Sequence, residues 1–286
     1  MALITGCVVI NGKVVDQLAV TDRALAYGDG LFETMPVTGG RIVLLDYHLA
    51  RLTKGCHALG FCSQQIVLIA DEIQRIVADM PSEPFILKLI LSRGSGGRGY
   101  RPPIEAQYRR VFQCLPMVDY GVEQGGISVF QCQTRLPEAF ALAGLKHLNR
   151  LPQVLAKQEW HDDAIAEGIM LDGQGYVVEG TQSNVFWLRN NTLYTSSLKR
   201  CGVAGVMRQL IIEKLAKKFN YDVVFEEIYY RQLYHVEAVF VCNSLMRICP
   251  VDCLLDTDKR LPIELNSSGH PVVAQLQHAL IDIYPQ

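Results

Sequence analysis

A stripe of aliphatic residues at helical spacing, Ile66, Ile69, Ile73, Ile76 and Val77, lies between two runs patterned as strands, residues 32–37 and 85–92. A helix of that kind has one apolar face that must be buried, and the flanking strands supply a sheet to receive it. The first part of the chain is therefore constrained to an α+β layer. Hairpin signals extend that sheet: Asn11-Gly12 separates runs at 7–10 and 13–15, and Thr38-Gly39-Gly40 separates 32–37 from 41–45. Asp46 is placed to cap a helix running to about His57, with Gly60 as its stop, and a second helix covers 64–79. A glycine-rich loop at 93–103 and a returning strand at 109–115 complete the unit.

The stretch 117–126, with Gly121, Gly125 and Gly126 and little apolar periodicity, reads as a linker between a smaller α+β domain, 1–116, and a larger α/β domain, 127–286. In the larger domain the pattern predicts strands at 127–133, 164–171, 177–187, 192–194, 222–226 and 238–242. Helices are expected at about 152–161 and 206–219, and hairpin turns at Asp172-Gly173 and Asn190-Asn191. The length of 286 residues accommodates two cores, and 49% hydrophobic with 20% charged residues is a globular composition. A net charge of −2 and a pI near 6.4 leave no basic face for nucleic acid or an anionic membrane. Nine cysteines occur singly, without Cys-x-x-Cys spacing, which argues against a disulfide framework and fits a reducing cytoplasm. No metal site is implied. The start lacks a basic leader, and no apolar run approaches the ~18 residues of a membrane span, so a soluble, unprocessed protein is expected.

Among the residues that can carry chemistry, Lys146 stands in the apolar setting Ala143-Gly144-Leu145-Lys146-His147-Leu148. A lysine that attacks a carbonyl must be a neutral amine, and apolar neighbours favour that form by desolvating the ammonium. The alternative is an ordinary helix-edge or strand-end lysine with its stem lying on apolar surface. Glu179, flanked by Val177, Val178, Val185 and Phe186, would need a cationic partner if buried, and a protonated pyridine nitrogen is one; on the alternate face it would be solvated. Gly205, Val206 and Met207 open the helix near 206, where unpaired N–H groups can hold an anion or merely form a tight turn. Ser244 and Arg51 can add a hydroxyl and a charge to that anion. The segment 93–100 holds Arg98 and Tyr100 among four glycines, equipment for gripping carboxylates, with low cost in swinging both inward.

In order along the chain, Asp22-Arg23-Ala24, Tyr27-Gly28-Asp29-Gly30-Leu31-Phe32-Glu33, His48-x-x-Arg51, Lys146-x-x-Asn149, Glu179 to Asn184, Gly205-Val206-Met207-Arg208 and Asn243-Ser244 resemble the fold-type IV pyridoxal-phosphate enzymes. That family contains the branched-chain and D-amino-acid transaminases and the 4-amino-4-deoxychorismate lyases. Residues 91–100, 143–150 and 243–246 are most similar to the lyases.

The resemblance implies a two-domain fold of that type and pyridoxal 5'-phosphate as cofactor. It implies that Lys146 forms the imine link to the cofactor and shuttles the proton, and that Glu179 keeps the pyridine nitrogen protonated. Arg51, Gly205, Val206, Met207 and Ser244 would form the phosphate cup, with Ser183 and Asn184 in support. Arg98, Tyr100 and Phe32 would meet substrate, and Thr34 would relay a proton or bind substrate. The implied reaction turns 4-amino-4-deoxychorismate into 4-aminobenzoate and pyruvate, a step toward folate, in a cytoplasmic homodimer without nucleic-acid or membrane partners. The competing readings are a D-amino-acid or branched-chain aminotransferase using the same lysine, and a protein that binds the cofactor without turnover.

Overall fold

A computed structural model of the protein describes residues 5–15, 17–118, 125–257 and 262–284. The chain forms two compact units, 1–118 with 145–149 and 284–286, and 119–144 with 150–283. Of the expected linker, 119–124 lie outside the described residues. The expectation put Lys146 in the later domain, but its segment Leu145–Asn149 is grouped with the first unit.

The first unit is a six-stranded antiparallel sheet under two helices. Its strands are β1 (Val8–Ile10), β2 (Lys13–Val14), β3 (Gly30–Thr38), β4 (Arg41–Ile42), β5 (Phe85–Ser92) and β6 (Arg109–Pro116), in the order β2-β1-β6-β5-β3-β4. Asn11 and Gly12 take the positive φ values, 48° and 77°, that the first hairpin turn requires. A short helix α1 (Arg23–Tyr27) precedes β3, and α2 (Leu45–Ala58) and α3 (Gln64–Asp79) follow β4. Asp46 does not cap α2: Leu44, at φ 57°, makes the corner, and Asp46 falls in the first turn, where its charge still complements the helix dipole. The stripe on α3 is buried as its spacing predicts, with Ile69, Ile73 and Ile76 against Leu31, Met35, Leu87, Leu89 and Phe112 of the sheet. Each such isoleucine contributes about 2 kcal/mol of burial free energy.

The second unit is a nine-stranded mixed sheet of β7 (Ile127–Leu136), β8 (Ile165–Asp172), β9 (Val177–Gly180), β10 (Asn184–Arg189), β11 (Thr192–Thr195), β12 (Asp222–Phe225), β13 (Ala238–Asn243), β14 (Arg247–Leu255) and β15 (Ile263–Glu264). The path β10-β13-β14-β7-β8-β9 returns to β10 through the pair Asn184↔Glu179, closing a barrel. Val129, Ile169, Val177, Val185, Trp187, Val239, Val241 and Val251 form one core of this unit. Helix α4 (Leu151–Lys157) ends four residues before the expected stop at 161. A helical stretch at 206–218 runs from α5 (Val206–Leu210) through a π turn to α6 (Ala216–Lys218), and α7 (Pro271–His278) closes the unit.

The expected strand 177–187 is two strands. Between them Glu167, fully buried, accepts from the Thr181 and Gln182 amides at 3.1 and 3.3 Å and from the Thr181 and Ser183 hydroxyls at 2.5 and 2.8 Å. One carboxylate thus satisfies a whole turn, which an apolar run of sequence does not disclose. Gly180 is required there, since a Cβ would come within 2.2 Å of the Ser183 hydroxyl and 2.8 Å of Glu167.

Candidate active site

In the first unit, residues 145–149 run beside the start of β3. Phe32 N–H donates to the Lys146 carbonyl and Leu148 N–H to that of Gly30, both at 3.0 Å. Gly30 permits this approach, because a Cβ would lie 2.7 Å from Leu148 Cδ1 and 2.5 Å from the Leu91 carbonyl. The Lys146 Nζ sits 4.2 Å from the centroid of the Phe32 ring, a position that suits an ammonium. Phe32 and Thr34 alternate with the core residues of β3 and are half-buried on one face of the sheet. Thr34 pairs across the strands with Lys88, which brings a second amine to that face. Lys88 was missed from sequence; its signal was a single charge inside an apolar strand.

On the other face of β3, Glu33 is buried between His48 and Arg51, one helical turn apart on α2. Arg51 Nε donates to Glu33 Oε1 at 2.8 Å and Nη2 to Oε2 at 2.5 Å, while His48 Nδ1 meets Oε2 at 2.6 Å. Burial alone would raise the Glu33 pKa, but the charges of Arg51 and His48 and their hydrogen bonds bring it down to about 2. Burial lowers that of His48, against the pull of Glu33, and Arg51 and Lys146 lower it further. Against the ionised Glu33 carboxylate, His48 Nδ1 acts as the donor. Glu33 thus fixes the orientation of the Arg51 guanidinium. The sequence marked Arg51 but not the carboxylate that aims it.

The 93–103 loop is wound as a turn with Arg98 and Tyr100 exposed, Tyr100 to 87%. At its root, Arg93 and Arg23 both bind Asp29 at 2.8 Å. Burial would raise the Asp29 pKa, and the two guanidinium groups overcome it and hold the carboxyl below its ordinary value.

In the second unit, the closing pair of the barrel is built from two expected site residues. Glu179, 4% exposed, accepts from the Val203 amide at 2.8 Å. Asn184 accepts from Gly205 N–H at 3.0 Å and donates to the Val203 carbonyl at 2.8 Å, fastening the turn ahead of α5 to the sheet. At Gly205 a Cβ would be 2.1 Å from Asn184 Oδ1, so a side chain there must displace the Asn184 amide. Gly144 joins the same turn, donating to the Gly202 carbonyl at 2.9 Å and accepting from Ala204 N–H at 3.0 Å. Val206 and Met207 bury their side chains and open the helix. Ser183 serves Glu167, and Ser244, half-buried, follows β13 at the end that pairs with the start of β10. Arg208, buried behind the helix start, donates to the Ser196 carbonyl at 2.8 Å. Burial draws its pKa down to about 10, opposed by Cys242 and Glu179, so it keeps its charge at neutral pH. The unit therefore gathers Glu179, Asn184, Gly205, Val206, Met207 and Ser244 at one end of strands β9, β10 and β13.

Residues 30–253 match the family described as amino-transferase class IV. The chain belongs to the class IV aminotransferase family. Relatives within it include the aminodeoxychorismate lyase of Vibrio harveyi, 32% identical over 85% of this chain and 89% of that one. A putative branched-chain-amino-acid aminotransferase of Methanocaldococcus jannaschii is 30% identical over 85% of each chain. Among solved structures, the 4-amino-4-deoxychorismate lyase from Pseudomonas aeruginosa is 40% identical, with a TM-score of 0.88 over 96% of this chain and 98% of that one. This class IV aminotransferase chain has the mixed α+β, two-unit fold expected from its sequence.

Proposed function

We propose that this protein is a pyridoxal-phosphate-dependent aminodeoxychorismate lyase that converts 4-amino-4-deoxychorismate to 4-aminobenzoate and pyruvate. The observation that supports it most is the end-to-end likeness at 40% identity to a lyase of that name.

The residues suit the cofactor. In the first unit Lys146 offers a primary amine for an aldehyde and Arg51 a charge for a phosphate; in the second the buried carboxylate of Glu179 suits a protonated pyridine nitrogen, and the amides of Val206 and Met207 with Ser244 suit a phosphate. The Gly205 backbone, where no Cβ fits, keeps that cradle close to Asn184. Bound there, the cofactor would hold the substrate amine and accept the electron pair of a breaking C–H bond.

Lys146 then takes the proton from the amine-bearing ring carbon, the enolpyruvyl C–O bond breaks, and a proton is returned to the departing group's methylene carbon, so that atoms balance and the ring becomes aromatic. Thr34 stands on the face of Phe32 and relays that proton or binds the leaving group. Lys88, paired with Thr34, and Arg98 with Tyr100 hold the carboxylates. Because Tyr100 is 87% exposed and α4 exposes Leu151, Val154 and Leu155 along one side, we place the chain in a homodimer that covers these groups. Nine unpaired thiols suit a cytoplasmic location, and no described helix is long and apolar enough to cross a membrane.

The relative named as a branched-chain aminotransferase, at 30% identity, motivates a second reading as an aminotransferase. Cofactor-loaded protein given fresh 4-amino-4-deoxychorismate is expected to release 4-aminobenzoate and pyruvate in equal amounts without added keto acid. Turnover only of D-alanine or a branched-chain amino acid, and only with a keto acid, would transfer the assignment to an aminotransferase.

A further inference from the structure

Arg23 is 4% exposed, and its guanidinium donates hydrogen bonds to Asp29 and to the backbone of the glycine-rich loop. Nε donates to Asp29 at 2.8 Å and Nη2 to the Tyr100 carbonyl at 3.0 Å. Nη1 is shared among the carbonyls of Gly99, Gly96 and Arg101 at 3.1, 3.4 and 3.5 Å. These four carbonyls bracket Arg98 in sequence. When carbonyls converge on a cation inside a turn, the side chains of that turn are thrown outward, and Arg98 and Tyr100 are exposed.

The glycines serve the same winding. Gly94, Gly96, Gly97 and Gly99 all have positive φ, and a Cβ on Gly97 would come within 2.4 Å of the Arg101 carbonyl and 3.3 Å of Arg23 Nη1. Their role is a fixed curl around a guanidinium, not freedom of movement. The sequence before Arg23 locks the cation in place. Asp22 accepts from Ala24 N–H at 2.9 Å and from the Ser92 hydroxyl, and Arg23 N–H donates to the Gly94 carbonyl at 3.0 Å. Tyr27 lies between the two ends, 4.9 Å from the Arg23 guanidinium and edge-on to Tyr100 at 5.5 Å.

We infer that Arg23 is a positioning residue for substrate recognition: its guanidinium is the template on which the 94–101 loop is wound, and it thereby sets where Arg98 and Tyr100 meet a substrate carboxylate. Lysine cannot replace it, because a point charge with three donors cannot serve the planar fan of carbonyls. The inference rests on the proposed role of Arg98 and Tyr100.

The test compares Arg23→Lys with the wild-type holoenzyme. KM for 4-amino-4-deoxychorismate is expected to rise about tenfold with kcat within about twofold, and the absorbance of the lysine-bound cofactor to stay unchanged. Trypsin should cut the native protein after Arg98 about tenfold faster, because cleavage follows local opening of the loop. Gly97→Ala, which disturbs the curl from the other side, should give the same pair of changes if the lysine variant does not fold. In the Arg23→Lys, Arg98→Ala double variant, KM should rise no further than in Arg98→Ala alone. A wild-type KM in a folded variant, or a loss confined to stability and kcat, overturns the inference. Should the wild type form no 4-aminobenzoate, the functional reading fails by itself, and unchanged trypsin resistance at Arg98 would still overturn the hold of Arg23 on the loop.

Discussion

Each unit carries a buried carboxylate, and the two are satisfied by opposite chemistry. Glu33, in the first unit, is neutralised by a guanidinium and an imidazole and in return fixes Arg51. Glu167, in the second unit, is met by backbone amides and hydroxyls and in return fixes the turn between Glu179 and Asn184. Charge pairing orients a side chain that must keep its charge for a ligand. Neutral donors on a carboxylate shape the backbone instead. Each device can be broken separately.

The largest effect is expected from Glu33→Ala, which leaves Arg51 buried beside an empty space. Unfolding in urea should show a loss of about 4 kcal/mol, with cofactor affinity falling as well. A loss below about 1 kcal/mol would mean that water or another group already shares that charge.

Next comes acid. The folded Glu33 pKa of about 2 lies below its ordinary 4.5, so its stabilisation is complete above pH 4.5 and is lost as pH falls from there toward 2. The lowered pKa of His48 acts in the same direction from pH 6.5 downward, because the unfolded chain takes the proton first. Each such proton steepens the loss by about 1.4 kcal/mol per pH unit. Melting temperature recorded from pH 7 to pH 3 should fall, and Glu33→Gln should flatten the lower part of the curve. An unchanged curve in that variant would remove Glu33 from the account.

Glu167→Gln should cost about 2 kcal/mol, since the new amide faces donors that need an acceptor. Urea unfolding measures it, and a cost below about 0.5 kcal/mol would mean that the turn holds without the carboxylate. Smallest is Gly205→Ala, whose Cβ has no room beside Asn184 Oδ1. About tenfold weaker cofactor binding, with little change in melting of the apoprotein, is the expected result. Equal losses in both would make Gly205 a packing residue only.

This contrast also explains what could be read from sequence. The α3 stripe and β5 were legible because burial follows local periodicity, and Asn11-Gly12 because its turn is set by two residues. The break at 181–183 was not, since the carboxylate that makes it lies fourteen residues earlier, at Glu167. Strand β14 was hidden by Pro250, tolerated because the ladder with β7 begins only at Val251. Lys146 and Glu179 were singled out through the order of motifs. The partners that aim the site, Glu33 for Arg51 and Arg23 for the Arg98 loop, needed long-range geometry, because a charged residue does not announce in sequence which opposite charge or carbonyl it will face.

The most direct test of the lyase assignment is a single-turnover measurement of 4-aminobenzoate with enzyme in excess over 4-amino-4-deoxychorismate, wild type beside Lys146→Ala, each with cofactor bound. The account predicts one 4-aminobenzoate and one pyruvate per substrate in the wild type and a rate lower by about ten-thousandfold in the variant. Undiminished product from Lys146→Ala, or none from the loaded wild type, would contradict it.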